Sequence, residues 1–395
     1  MIEIALLGFG TVGRGTYEII EKRAEEIKRV LNDELKVSKV LVRNKGKYKG
    51  QGDIFTDRYD DILNDDNISL VCEMTGDLEN SYRYINEALK AKKHVVTSNK
   101  AVVSENLSYF TALADENEVN FLYEASVGGS IPIITPLTAQ SVINRIYRIR
   151  GILNGTSNFI LSKMYNENLS YDEVLREAQA LGYAEADPYA DVEGIDALRK
   201  LKILSSIAFS KDIENSEILS EGISSILPVD IEVFKEKGFK IKLVAESFLN
   251  EDKYALLVEP VLVKSEDPLY FIEGSNNIVE IFGDNYSSLS FIGEGAGKLP
   301  TGNAVVIDII DALLSNNLKL KFDNLKIKCA SKFQGSYYVR TKEKIDESLL
   351  AESFERDGFV ISRTKMVDRG ELKKELRKFR DEDCFIARFE GEDLV

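Results

Sequence analysis

Between Leu181 and Lys200 the chain reads LGYAEADPYADVEGIDALRK, with five carboxylates from Glu185 to Asp196 and a lysine four residues after the last. Pro188 and Gly194 make the first half a loop, whereas Ile195, Leu198, Leu201 and Ile203 carry a helical period. Asp196 and Lys200 then stand one turn apart on a single helix face. The bland reading is a solvated acidic loop before a helix with one ion pair. The chemical reading is a set of anions for an ammonium group beside an amine that can exchange a proton. A second amine, Lys100, follows the short apolar run His94-Val95-Val96-Thr97. At the C-terminal edge of a parallel sheet it would reach a ligand crevice; by spacing alone it serves equally well as a surface cation. His94, the only histidine, stands at the start of that run, away from its carboxyl end, and reads as structural.

These groups need a frame, and the first 130 residues supply one. The apolar run Ile2-Glu3-Ile4-Ala5-Leu6-Leu7 enters Gly8-Phe9-Gly10-Thr11-Val12-Gly13 and then a helix expected over residues 14–31. This G-x-G-x-x-G closes a strand and opens a helix, the context in which it binds a dinucleotide. Its glycines serve the tight turn, the approach of a pyrophosphate and close helix–strand packing, and the helix N-terminus offers N–H groups to the phosphates. The second strand, 37–42, ends in Arg43, with Lys45 and Lys47 beyond. Basic side chains there suit a 2′-phosphate and point to NADP, with NAD the alternative.

A strand running into a small-residue turn is expected over 68–76, further strands at 94–97 and 120–124, with helices at 82–90 and 104–116 between them. The alternation defines an open parallel α/β sheet. The third strand ends in the small-residue turn Met74-Thr75-Gly76. Glu124-Ala125-Ser126-Val127-Gly128-Gly129-Ser130-Ile131-Pro132 leaves the last strand through a glycine pair. Its carbonyls could converge on a hard cation, or the segment is a plain crossing turn. Beyond residue 133 the pattern becomes α+β. It has a strand-like run at 142–152, a helix-opening turn at Asn154-Gly155-Thr156, strands at 240–248, 254–263, 277–282 and 288–292, and exposed-edge potential suited to a second subunit. A glycine-rich loop, 293–302, precedes an apolar helix at 304–314. Residues 325–395 look separate: strand 336–341, helix 347–357, strand 359–366, helix 372–379, strand 384–389.

The net charge of −15 and the absence of a segregated basic patch exclude nucleic acid and anionic membranes as partners. No apolar run reaches membrane-span length. Three widely spaced cysteines (Cys72, Cys329, Cys384) form no metal-ligand pattern and fit a reducing, cytoplasmic compartment.

With its motifs in order, the chain resembles the homoserine dehydrogenase family. The matching segments are GFGTVG (8–13), TSNKA (97–101), EASVGGSIP (124–132), GILNGTSNFIL (151–161), the acidic stretch at 181–200 and GEGAGKLPTGNAVV (293–306). They cover residues 1 to about 314 in the family's order. Two departures are Gly302-Asn303, where the family usually has small residues such as alanine and serine, and Ala190, where some members carry a second acid. The latter leaves Asp191 as the acid to watch.

The resemblance implies reversible NAD(P)-dependent reduction of L-aspartate 4-semialdehyde to L-homoserine, in threonine and methionine biosynthesis. It implies proton transfer by Lys200, with Lys100 assisting at the reacting oxygen. Glu185, Asp196, Asp191 and Thr156 fall on substrate-binding positions. Gly8, Gly10, Thr11, Val12, Gly13, Arg43, Thr75, Lys100, Gly182 and Gly297 fall on cofactor positions. Glu124, Val127, Gly129 and Ile131 match a monovalent-cation site, built mostly from carbonyls and described with sodium.

The expected fold is α/β: a Rossmann-type nucleotide-binding domain at 1–132 completed by 296–318, an α+β substrate and dimerisation domain at 133–295, and a small ACT-like module at 325–395. The expected assembly is a homodimer or higher homo-oligomer. ACT domains usually carry a proline–glycine pair at the first helix entrance; Glu347-Ser348 stands here, which argues against an effector. A semialdehyde dehydrogenase would need a nucleophilic cysteine, and Cys72 lies inside a strand. A non-catalytic cofactor sensor would have no use for Lys100 and Lys200.

Overall fold

The computed structural model describes residues 1–48, 50, 53–319, 322, 326–330, 332–380 and 383–391. Two compact units emerge: Met1–Asn144 with Ile203–Asp212 and Gly293–Leu325, and Arg145–Lys202 with Ile213–Ile292 and Lys326–Val395.

In the first unit six strands form one sheet: β1 (Ile2–Leu7), β2 (Leu35–Leu41), β3 (Phe55–Thr56), β4 (Ile68–Glu73), β5 (His94–Thr97) and β6 (Phe121–Leu122). Their order is β3-β2-β1-β4-β5-β6, and every neighbouring pair is parallel. Strands covered on both faces must be apolar throughout, which is why β1 and β4 read as near-continuous hydrophobic runs. The order reverses between β1 and β4, the switch point beyond whose carboxyl ends ligands bind in such sheets.

One helix was expected over 14–31; the chain instead forms Thr11–Lys22 and Ala24–Leu31, broken where Arg23 takes φ −114° and ψ 19°. Ile20 and Ile27, one on each piece, both join the core around Ile4 and Leu6. The helix Lys298–Leu314 adds Val305 and Ile309 to that core. It crosses Thr11–Lys22 so closely that a Cβ on Gly302 would lie 2.8 Å from Gly15 C, and one on Gly15 would lie 2.1 Å from Lys298 O. Glycine at 302 is a packing requirement here.

Three local expectations shift. The helix expected at 104–116 begins at Lys100, so that lysine opens a helix; it does not end a strand. The run 142–152 is divided between the helix Ile134–Ile143 and the first strand of the second unit. The strand expected at 120–124 shortens to β6, and Glu124–Ser126 form a 3-10 turn.

The second unit is built on a long mixed sheet. Its strands are β7 (Ile146–Ile152), β8 (Ile218–Ser220), β9 (Lys240–Asn250), β10 (Lys253–Val263), β11 (Asn276–Gly283), β12 (Tyr286–Glu294), β13 (Lys328–Cys329), β15 (Tyr337–Thr341), β16 (Leu350–Arg356), β17 (Phe359–Thr364) and β19 (Phe385–Phe389). The main path is β12-β11-β7-β9-β10-β19-β15-β17-β16, with β8 and β13 also paired to β10. A separate small pair joins β14 (Gln334–Gly335) to β18 (Val367–Asp368).

The helix expected at 347–357 is wrong. Residues 350–356 are β16, paired antiparallel with β17 through Arg356↔Phe359. Asp357 and Gly358 join them with φ 49° and 73°, and positive φ at both central residues makes a right-twisting two-residue hairpin. Most strands of the C-terminal segment continue the sheet of this unit through β10–β19, and only β14 and β18 pair apart from it. Tyr337, Val339, Leu372 and Ile386 give it a local core beneath the helix Arg369–Leu376.

Candidate active site

In the first unit the crevice at the switch point is shaped by backbone. Gly8 follows β1 at φ 99°, and a Cβ there would lie 2.7 Å from Met74 O, at the end of β4. A Cβ on Gly13 would meet Gly8 O at 2.3 Å, whereas the space around Gly10 is open to 4 Å. Gly10 is the N-cap of Thr11–Lys22, and no side chain caps that helix. The N–H groups of Thr11, Val12 and Gly13 therefore stand at an uncapped positive helix end, with a side-chain-free approach at Gly10. A dinucleotide pyrophosphate fits this arrangement. Arg43 is exposed just past β2.

The carboxyl ends of β4 and β5 are tied together by Glu73, fully buried at the last position of β4. Its Oε1 accepts from Thr75 N–H (2.7 Å), Thr75 Oγ1 (2.6 Å) and Ser81 Oγ (2.7 Å), and its Oε2 from Thr97 Oγ1 (2.8 Å). Asn99 donates to Ser81 Oγ (3.0 Å), and its own side-chain oxygen caps the helix that Lys100 opens. Thr75 and Lys100 thus hang from one hydrogen-bonded frame. The positive helix end behind Lys100 suits an oxygen gaining negative charge. The local signal for Glu73 is a carboxylate closing an apolar strand.

The second unit holds the other lysine. Lys200 is 6% exposed and Asp196 3%. Lys200 Nζ lies 2.8 Å from Asp196 Oδ2 and donates to Leu153 O at 2.6 Å. Asn154 Nδ2 donates to the same Asp196 Oδ2 (2.9 Å) and to Asp191 Oδ1 (2.8 Å), while its Oδ1 caps the helix Gly155–Glu167. The structure thus brings Lys200, Asp196 and Asp191 together through Asn154, a residue whose place in the helix-opening turn gives no local sign of this role. Thr156 spends its hydroxyl proton on Tyr183 O (2.6 Å), tying the acidic loop to this helix. Glu185 is exposed on the loop. Gly182 closes the helix Tyr171–Leu181 at φ 79° with open space where a side chain would be.

The Glu124 side chain does not face a cation loop. Its oxygens accept the N–H groups of Ile133 (2.5 Å), Ile134 (2.6 Å) and Thr135 (2.8 Å), capping the helix Ile134–Ile143. Only its carbonyl remains for the role the resemblance gave it. Burial still pushes this carboxyl up, against those three donors. Asp308, whose Oδ2 accepts Glu124 N–H at 2.9 Å, is pushed up further by burial and by Glu124. A cavity of about 140 Å³ is lined by both acids with Asn120, Tyr123 and Asn316; Gly8, Thr75 and Lys100 do not line it. The Gly128-Gly129 turn is tightly packed: a Cβ on Gly128 would lie 2.3 Å from Ile131 O and one on Gly129 2.5 Å from Gly295 O. At Gly297, φ 142° opens the helix Lys298–Leu314.

A switch-point crevice with an uncapped, glycine-opened helix is that of a dinucleotide-dependent oxidoreductase, and a lysine buried among carboxylates suits a substrate with an amine to hold and a proton to exchange. Two family models match: Homoserine dehydrogenase, NAD binding domain, over residues 8–124, and Homoserine dehydrogenase over 132–310. A homoserine dehydrogenase of Synechocystis sp. is 42% identical over 317 residues, covering 78% of this chain and 73% of its own length. The crystal structure of a homoserine dehydrogenase from Thiobacillus denitrificans superposes with a TM-score of 0.90 at 32% identity, covering 99% of this chain and 98% of that one. A hyperthermophilic archaeal homoserine dehydrogenase in complex with NADPH gives 0.69 at 27%, covering 81% and 99%. The chain belongs to the homoserine dehydrogenase family. It is an NAD(P)-dependent oxidoreductase that interconverts L-aspartate 4-semialdehyde and L-homoserine, in threonine and methionine biosynthesis. Among the described residues no helix is long and apolar enough to cross a membrane.

Proposed function

We propose that Lys200 exchanges the proton at the substrate's reacting oxygen, with Lys100 assisting there. The observation that carries this reading is the buried hold on Lys200, oriented at once by Leu153 O and Asp196. In the reducing direction its ammonium gives a proton to the aldehyde oxygen; in the oxidising direction the neutral amine takes it from the hydroxyl. The nicotinamide, when bound, supplies or receives the hydride. Asp196, Asp191 and Glu185 provide negative charge for the substrate's ammonium end, and Thr156 shapes that end by fixing the loop.

Gly8, Gly10, Thr11, Val12, Gly13, Thr75 and Lys100 hold the cofactor, with Gly182 and Gly297 offering side-chain-free contacts. Exposed Arg43 supports NADP over NAD. The backbone carbonyls of Glu124, Val127, Gly129 and Ile131 would offer only oxygen ligands, the kind that suits a monovalent cation such as sodium. β12 ends the sheet as an edge strand with Ile292 62% exposed, which supports a homodimer. Widely spaced cysteines support a cytoplasmic location.

The test is Lys200→Ala with L-homoserine as substrate. We expect kcat to fall at least ~10²-fold while NADPH still binds; near-normal kcat would remove Lys200 from this role. Arg43→Ala is expected to weaken NADP more than NAD. Equal loss of both would remove Arg43 as the 2′-phosphate contact.

A further inference from the structure

The strand that delivers the Lys200 site is gripped from the far end of the chain. β7 ends at Ile152, and the next two residues supply Leu153 O to Lys200 and the Asn154 side chain to Asp196 and Asp191. Just upstream, Arg148 and Arg150 project from one face of β7. Both donate to Oε1 of Glu390, at 2.9 Å and 2.7 Å, and Glu390 is the residue that follows β19. Glu390 is anchored in turn: its N–H donates to Leu262 O at 3.1 Å, and its other oxygen lies 3.6 Å from Arg388. The guanidinium groups of Arg388, Arg150 and Arg148 hold its carboxyl below the usual range against the opposing effect of burial.

The same two arginines complete the grip. Arg150 also binds Glu280 (2.7 Å) and Asp267 (2.8 Å), and Arg148 binds Glu246 (2.7 Å). Planar guanidinium–carboxylate bonds fix direction as well as distance. A clamp at residues 148 and 150 therefore sets how β7 presents residues 153 and 154.

We infer that Glu390 is a positioning residue for the catalytic centre, acting through Arg148 and Arg150 on the end of β7 and thereby on Lys200 and Asp196. The C-terminal segment is then part of the catalytic unit's scaffold. The inference rests on the assignment of proton transfer to Lys200.

The experiment compares Glu390→Ala, Glu390→Gln and Glu390→Asp in the full chain, with homoserine oxidation and NADPH binding both measured. Glu390→Ala is expected to lower kcat by about tenfold with NADPH affinity unmoved, since an ångström of misplacement can cost up to ~10²-fold. Glu390→Gln, which keeps an oxygen for both arginines, is expected to recover most of that loss. If the alanine variant does not fold, Glu390→Asp carries the test: shortening the arm should lower kcat severalfold at unchanged NADPH affinity. Wild-type kcat in a folded Glu390→Ala or Glu390→Asp variant overturns the inference, as does a loss confined to thermal stability. Lys200→Ala separates the failures. If that variant stays active, the Lys200 assignment falls and this inference with it. If it is inactive while the Glu390 variants turn over normally, this inference alone falls.

Discussion

Glu73 in the first unit and Glu246 and Glu259 in the second are all almost completely buried, at 0%, 1% and 3% exposure. Their environments differ. Glu73 is solvated by neutral donors: three hydroxyl groups and one backbone N–H. Glu246 and Glu259 are bridged by the guanidinium of Arg388, at 2.6 Å and 2.7 Å, with Arg148 and Arg369 adding to the network. Neutral donors can be lost one at a time, each at the cost of one hydrogen bond. A bridging cation cannot, because its removal takes a charged partner from two buried carboxylates at once. The first arrangement suits a crevice whose walls carry Thr75 and Lys100; the second suits a scaffold that must not move.

The largest expected effect tests the second half of that contrast. Arg388→Leu should destabilise the protein by ~3–5 kcal/mol, the usual consequence of breaking a buried ion pair, measured by denaturant unfolding. A loss below about 1 kcal/mol would mean that water or a rearranged arginine replaces it. Glu73→Gln tests the other half. It keeps the shape but places an amide among donors, so a cost of ~1–3 kcal/mol is expected, together with weaker NADPH binding as Thr75 loses its anchor. A cost equal to that of Arg388→Leu would erase the distinction between the two environments.

The smallest effect sharpens the neutral case. His94 Nδ1 accepts the Asn120 N–H at 3.0 Å, and burial depresses the ring's pKa below its ordinary 6.5. The unfolded chain therefore takes up the proton first as pH falls. The contribution of His94 is complete above about pH 6.5 and is lost as pH drops through the lower folded value. Denaturation at ~pH 7 and ~pH 5.5 should show a modest decline that flattens in His94→Asn; an unchanged decline would assign it to the carboxylates.

The C-terminal segment was the least legible part. The run at 347–357 is polar and rich in residues that helices accept, and it lacks the strong alternation that marks a half-buried strand. The missed signal was Asp357-Gly358, a dipeptide that closes tight hairpins. The first unit was more legible because its cues are local: glycines at fixed offsets and apolar runs of strand length. Lys100 illustrates the limit, since spacing put it at a strand end while Asn99 made it the first residue of a helix.

By itself the sequence determined the Gly8–Gly13 turn, the pairing of Asp196 with Lys200 one helical turn apart, and the family to which such motifs belong. Those features depend on neighbours within a few residues, where backbone geometry alone dictates who meets whom. Tertiary structure decided the rest. Leu153 O meets Lys200 across 47 residues and Glu390 meets Arg150 across 240. Contacts of that range follow from which strands pair and in what register, and no local spacing records them.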